Sequence, residues 1–426
     1  MPSALEKEVR TMKKLLIILL VLSLALSLAS CGNTTNGGSS AETTTAPPPG
    51  GEPVPGENGV VTDPGRLRVG IVYATDPESD PASAREKDSF DRAAETFGLA
   101  EENIYEACGG FYDDSGFLEA VGEMASGGCA VVFTADRSLM KYTASAAEKY
   151  PDVTFCNLGG YMTNGGNLKN HRQRLYQAAY LCGMTAAYKN ESVENGRLGY
   201  ICGGRSAVDR ACANAFVLGA QAWTNHLDTD ITVYLVTASP EEEISAAKTL
   251  IESGCTFVGG CTPESLYLEA LAEAGIPGSG AYLALDAEKY PALTASATVD
   301  TAPYYLSVLE AVAAGQRDGI SNSFGGFDGK EVGFQSDVGS SETDAAFTDA
   351  LDKVAARFAD GSWDVFCGRA LDFDTQAGSA TVSDREAPIY KTSGAQAHQT
   401  AYGSLDDGVI FETMDYFVFG VEEVRN

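Results

Sequence analysis

The chain has 426 residues, of which 44% are hydrophobic, and its 59 acidic side chains against 29 basic ones give a net charge of −30. That length supports two or three domains with a buried core, while the acid excess excludes a nucleic-acid backbone, which needs clustered Lys and Arg for counterion release, and electrostatic attachment to anionic lipid. Only three histidines are present (His171, His226 and His398), which argues against a zinc enzyme or a Ser–His hydrolase.

Residues 12–31 read MKKLLIILLVLSLALSLASC. Lys13 and Lys14 form a positive start, residues 15–26 an apolar run, and Leu28-Ala29-Ser30 a small-residue cleavage site. This is the pattern of a secretory signal peptide over 1–31; the apolar run is too short for a spanning helix. A small-residue site directly followed by Cys31 looks like the bacterial lipobox. That likeness implies cleavage before Cys31 and lipidation of its sulfur, so that the body sits on the extracytoplasmic face of the cell membrane, held by lipid alone. Residues 32–65 are rich in Gly, Pro, Ser and Thr and cannot bury enough apolar surface to order themselves, so they read as a tether.

From residue 66 the pattern alternates between strand and helix. A short β-branched run at 67–73 predicts a strand, followed by a polar loop at 74–87 and a helix at 89–98. Strands are expected at 102–106, 130–133 and 153–156, with helices at 114–127 and 139–150. After residue 172 the rhythm restarts. Helices are expected at 175–189, 211–226, 240–254, 263–274 and 303–314. Strands are expected at 197–202, 231–236, from 257, at 281–285 and at 296–299. The tail from 325 is less regular, with a helix at 344–360 and short strands near 365–367 and 380–382. Strands spaced by helices of this length imply βαβ units and parallel sheets with helices on both faces. Two such halves predict an α/β protein of two doubly wound, Rossmann-like lobes joined by a hinge. Solutes in such folds bind outside the carboxyl ends of the strands.

Besides Cys31 there are nine cysteines: Cys108, Cys129, Cys156, Cys182, Cys202, Cys212, Cys255, Cys261 and Cys367. Several sit inside apolar runs, as Cys129 and Cys202 do, and read as small buried hydrophobes in a thiol-tolerant setting. Gly203-Gly204-Arg205 lacks the spacing of a phosphate-binding loop. Asp372, Asp374, Asp406 and Asp407 lack the spacing of a calcium loop and read as solvated acids. No metal, cofactor or catalytic set is expected.

The body resembles the basic membrane protein (BMP) family of ABC-transporter substrate-binding lipoproteins. The likeness rests on the order of several segments: Val69-Gly70-Ile71-Val72-Tyr73, Ser89-Phe90, Glu148-Lys149-Tyr150-Pro151-Asp152-Val153, Gln177-Ala178-Ala179-Tyr180-Leu181-Cys182-Gly183, Asn214-Ala215-Phe216-Val217-Leu218-Gly219-Ala220, Pro303-Tyr304-Tyr305 and Met414-Asp415-Tyr416-Phe417. Asp91 stands where the family usually has Asn. The resemblance implies a type I periplasmic-binding fold, no enzymatic activity, a nucleoside-like solute and an ABC permease as partner. It implies an N-terminal lobe from 66–172 plus 297–325 and a C-terminal lobe from 173–296 plus 326–426. By position, Phe90 would be a stacking ring and Asp286 a hydroxyl acceptor. The strand-end loops add Tyr73, Asp136, Tyr161 and Arg205. A sensor subunit feeding a membrane receptor is the alternative role.

Overall fold

The computed structural model describes residues 63–425 apart from 110–113, 194–195, 226–230, 340 and 399–402. The signal peptide, Cys31 and nearly all of the tether lie outside those residues.

In chain order the first elements are β1 (Val69–Tyr73), α1 (Pro81–Phe97), β2 (Ile104–Cys108), α2 (Asp114–Ser126), β3 (Val131–Thr134), α3 (Met140–Lys149), β4 (Thr154–Leu158) and β5 (Leu168–Gln173). Then come α4 (Leu175–Asn190), β6 (Leu198–Cys202), α5 (Ala207–Asn225), β7 (Val233–Thr237), α6 (Glu243–Glu252), β8 (Phe257–Gly260), α7 (Tyr267–Ala274), β9 (Gly278–Ala281) and β10 (Leu293–Val299). The chain continues with α8 (Ala302–Ala313), β11 (Ser323–Gly325), β12 (Val332–Ser336), α9 (Glu342–Ala359), β13 (Arg369–Gln376), β14 (Ser379–Glu386), β15 (Ile389–Tyr390), β16 (Gln396–His398) and β17 (Val421–Glu423).

The strands form a six-stranded sheet, β11-β5-β4-β3-β1-β2, and a seven-stranded sheet, β12-β10-β9-β8-β6-β7-β17. Within them only β12 runs antiparallel, against β10. β1 and β6 are buried at every residue, as parallel strands covered on both faces must be. One face of the first sheet packs Phe90 of α1 with Tyr304 and Tyr305 of α8, and the other packs Phe117 and Val121 of α2 with Ala146 of α3. The second sheet is likewise held between α4 and α5 on one side and α6 and α7 on the other.

α4 is buried all round from Leu175 to Ala187, which marks an interior helix. Its approach to α5 depends on two glycines. A Cβ on Gly183 would lie 1.9 Å from the Phe216 carbonyl oxygen, and one on Gly219 would lie 2.0 Å from that of Tyr180. The two backbones therefore touch where the segments ending Cys182-Gly183 and Leu218-Gly219 meet.

The chain passes between the sheets three times: at Arg174, at Asp300–Thr301, and over 326–331. β10 stays in the second sheet through Val299, so the second passage falls beyond residue 297.

Several expectations need correction. α1 begins at Pro81, because the Asp80 side chain accepts from Ser83 N and a proline occupies the first turn. The expected loop at 74–87 is thus half helix. The strand expected at 281–285 lies instead at Gly278–Ala281, since Tyr282 turns away with φ +64°. Residues 365–367 form a turn ahead of β13. β5, β11, β12, β15, β16 and β17 have no counterpart in the sequence reading. Of the nine body cysteines, Cys108 and Cys261 are half-buried and the rest are buried.

Candidate functional site

The passages that link the sheets hold a polar core. Glu86, on α1, accepts hydrogen bonds from Thr301 Oγ1 at 3.2 Å and Tyr305 OH at 3.0 Å. Thr301 in turn accepts from Gln173 Nε2 at 3.1 Å. One carboxylate therefore ties the end of β5, the second passage and α8 together. Burial pushes Glu86 up to about 7, the bonds from Tyr305 and Thr301 and the nearby Arg85 charge oppose that rise, and Asp136 adds to it. Arg92, six residues further along the chain from Glu86, grips Asp300 through both terminal nitrogens at 2.9 and 3.0 Å.

The third passage is closed by a buried pair. His171 Nε2 of β5 lies 2.5 Å from Glu331 Oε2. Its Nδ1 meets Ser323 Oγ at 2.8 Å, and its ring stacks on Tyr304 at 3.7 Å. Arg174 at the first passage pairs with Asp407 at 2.9 Å.

At the carboxyl ends of the strands, Arg85 of α1 sits 4.7 Å over the ring of Tyr282, which follows β9 of the other sheet. The Tyr282 amide is held by Ala297 O at 2.7 Å, which fixes the ring despite a backbone conformation that bulky residues rarely adopt. This contact joins the two carboxyl edges directly.

The candidate residues separate into groups. Tyr73 and Phe90 belong to the same core cluster beside Glu86. Phe90 is 0% exposed and makes edge contacts with Phe133 at 5.9 Å and Tyr305 at 5.6 Å. Its ring is enclosed by protein in this structure. Tyr73 is also buried, and its hydroxyl has no hydrogen-bond partner. Burial, with the negative charges of Glu106, Asp91 and Glu86, raises that phenol far above its ordinary value. Asp136 is half-buried and accepts from Ser138 N at 2.6 Å, while its carbonyl accepts from Asn157 Nδ2 at 3.0 Å. Tyr161 is 47% exposed, with its ring between Arg137 and Arg172.

Arg205 and Asp286 stand apart. Arg205 is exposed, and its carbonyl accepts from Arg210. Asp286 is exposed and caps a turn, accepting from Glu288 N at 3.0 Å and Lys289 N at 3.1 Å. The structure does not bring either into contact with the other candidates among the described residues.

Glu86, Arg85, Tyr282 and Thr301 are the groups that sequence reasoning missed. The Asp80-Pro81 start signal would have placed Glu86 on the face it shares with Phe90, one turn away; nothing in the sequence marks the turn at Tyr282. Among the described residues, no group of three or more His, Cys, Asp or Glu is arranged to hold a metal ion, and no helix is long and apolar enough to cross a membrane.

Residues 80–266 match a family model described as Bmp, ABC transporter substrate-binding protein PnrA-like. A purine-binding protein of Brucella abortus (strain 2308) is 29% identical over 268 residues, which span 59% of this chain and 70% of the relative. The fold is similar to that of an ABC transporter solute-binding protein from Conexibacter woesei, with a TM-score of 0.55 at 18% identity over 70% of this chain and 98% of the other. A transcriptional activator of the comK gene from Bacillus halodurans gives the same TM-score at 15% identity, over 68% and 99%. These two structural likenesses speak to the fold alone, which one architecture lends to different roles.

Proposed function

Because the chain belongs to the Bmp family of ABC-transporter substrate-binding proteins, we propose that its two lobes close on a purine- or nucleoside-like solute. It then presents that solute to an ABC importer while tethered to the outer membrane face through lipid on Cys31. The protein binds and releases; it performs no bond chemistry. The observation that carries this reading is the meeting of Arg85 and Tyr282 across the carboxyl edges of two sheets joined by three short passages. A solute lodged beside that contact touches both lobes only when they are closed, so its binding energy shifts the population toward the closed state. The purine class is favoured by the Brucella relative.

The test is thermal shift followed by calorimetric titration against purine bases, nucleosides, sugars and amino acids. A solute at 100 times its Kd stabilises the protein by about 2.7 kcal/mol. A shift with purines alone supports the assignment. A response confined to sugars or amino acids overturns the purine class. For the anchor, membrane association that survives Cys31→Ala would remove the lipid tether.

A further inference from the structure

Three neighbouring strands of the first sheet bring three side chains to their carboxyl ends. Arg137 follows β3, Tyr161 follows β4, and Arg172 is the penultimate residue of β5. The Tyr161 ring lies 5.5 Å from the Arg137 guanidinium carbon and 5.8 Å from that of Arg172. Two cations thus flank one half-exposed phenol, at the edge where solutes bind in open α/β sheets.

The arginines are under-neutralised. Arg172 is only 6% exposed. Its Nε donates to Gly160 O at 2.8 Å and its Nη2 reaches Glu412 Oε1 at 3.3 Å, but Nη1 is buried with no hydrogen-bond partner. Burial, and the neighbouring positive charge of Arg137, hold its guanidinium below the ordinary value against the opposing pull of Glu412. Among the described residues Arg137 makes no ion pair. The adjacent Asp136 carboxylate is turned to its own loop, bonding Ser138 N. In a chain whose acids outnumber its bases two to one, an unpaired arginine beside a buried one with an open donor marks a place for an anion that the protein does not itself supply. Guanidinium forks match phosphate and carboxylate geometry.

We propose that Arg137, Arg172 and Tyr161 form an anion subsite of the solute cleft, so that the protein takes a purine carrying a phosphate, a nucleoside monophosphate, in preference to the uncharged nucleoside. Tyr161 folds over the seated group and shields it from water. This rests on the purine reading above, and the experiment separates the two.

Calorimetric titrations of the purified protein with adenosine, AMP, guanosine, GMP and inorganic phosphate are run for the wild type, Arg137→Gln and Arg172→Lys. The monophosphates are expected to bind at least tenfold tighter than their nucleosides. Arg137→Gln, at an exposed position, is expected to reduce that ratio below threefold. Arg172→Lys keeps the charge but loses the fork, and gives an intermediate ratio. Equal affinity for nucleoside and monophosphate, or a preference that survives Arg137→Gln, overturns the subsite. Arg137-dependent phosphate binding without any purine binding upholds the subsite and removes the purine reading. Purine binding with no phosphate preference does the reverse.

Discussion

The Arg85 guanidinium lies 4.7 Å from the centroid of the Tyr282 ring, and the two residues belong to helix α1 over the first sheet and the loop after β9 of the second. The ring is presented by a backbone at φ +64°, a conformation that costs a non-glycine residue on the order of 1 kcal/mol and persists where the surroundings enforce it. A cation over an aromatic face at a partly exposed site contributes about 0.5–1 kcal/mol.

If this contact exists only when the lobes approach, its removal weakens closure without weakening the fold. Arg85→Met is expected to lower solute affinity roughly two- to fivefold, the equivalent of that contact, with an unchanged melting temperature. Small-angle scattering of the solute-free variant should show a more extended particle than the wild type. Identical scattering and affinity would mean that the contact plays no part in closure.

Phe90 lies in the core of the first sheet. Its ring is enclosed by Phe133 and Tyr305, so truncation opens a cavity and leaves the solute face intact. Phe90→Ala should cost about 3–5 kcal/mol of stability, and the milder Phe90→Leu clearly less. Denaturant unfolding measures the loss, and titration at a temperature where the variant is folded should give solute affinity within about threefold of wild type. A large affinity loss in Phe90→Leu without a stability loss would return the ring to the binding site.

The periodic apolar runs made most of the first lobe legible: β1, β3 and β4 each lie within two residues of the expected places. Residues 168–173, LKNHRQ, carry no such run. They are a strand because β4 and β11 pair on either side and because His171 finds Glu331, Ser323 and Tyr304. Partners some 150 residues away leave no local pattern. Glu86 was hidden for a different reason. Reading 74–87 as a polar loop overlooks that Asp80 caps and Pro81 opens a helix. A helix begun there places residue 86 on the face that Phe90 turns inward. Phe90 itself was found by resemblance, which marks a position and not the direction of a side chain. Arg137 and Arg172 are separated by 35 residues and converge only because β3, β4 and β5 are neighbours.

The glycine closing the Cys182-Gly183 segment has a steric reason that any residue with a side chain would violate. Its missing Cβ leaves room for the Phe216 carbonyl, a backbone atom that cannot rotate away. Gly183→Ala must therefore separate α4 from α5, at the centre of the largest core cluster. The cost should exceed the ~1–3 kcal/mol usual for overpacking. Gly116→Ala is the control: that helical position is exposed and a Cβ there meets nothing within 4 Å, so it should gain about 0.5–1 kcal/mol. Equal unfolding midpoints for the two variants would contradict the close approach of the helices.

Glu86 gives the protein a stability that depends on pH in a direction opposite to that of an ordinary paired carboxylate. Burial raises it from 4.5 to about 7. Below pH 4.5 the group is protonated in both the folded and the unfolded chain, and it imposes no penalty. Between 4.5 and 7 the unfolded chain has lost the proton while the folded chain keeps it, so stability falls as pH rises. Above about 7 both states are ionised and the full penalty, on the order of 3 kcal/mol, is in place. Glu86→Gln is neutral throughout and can still accept from Thr301 and Tyr305. The stability of the wild type relative to this variant should therefore decline across pH 4.5–7 and level off beyond. Urea unfolding of both proteins in half-unit pH steps gives that difference curve directly, with other titrating groups cancelling. A flat curve would show that the carboxyl is ionised across the whole range, and that Thr301, Tyr305 and Arg85 outweigh its burial.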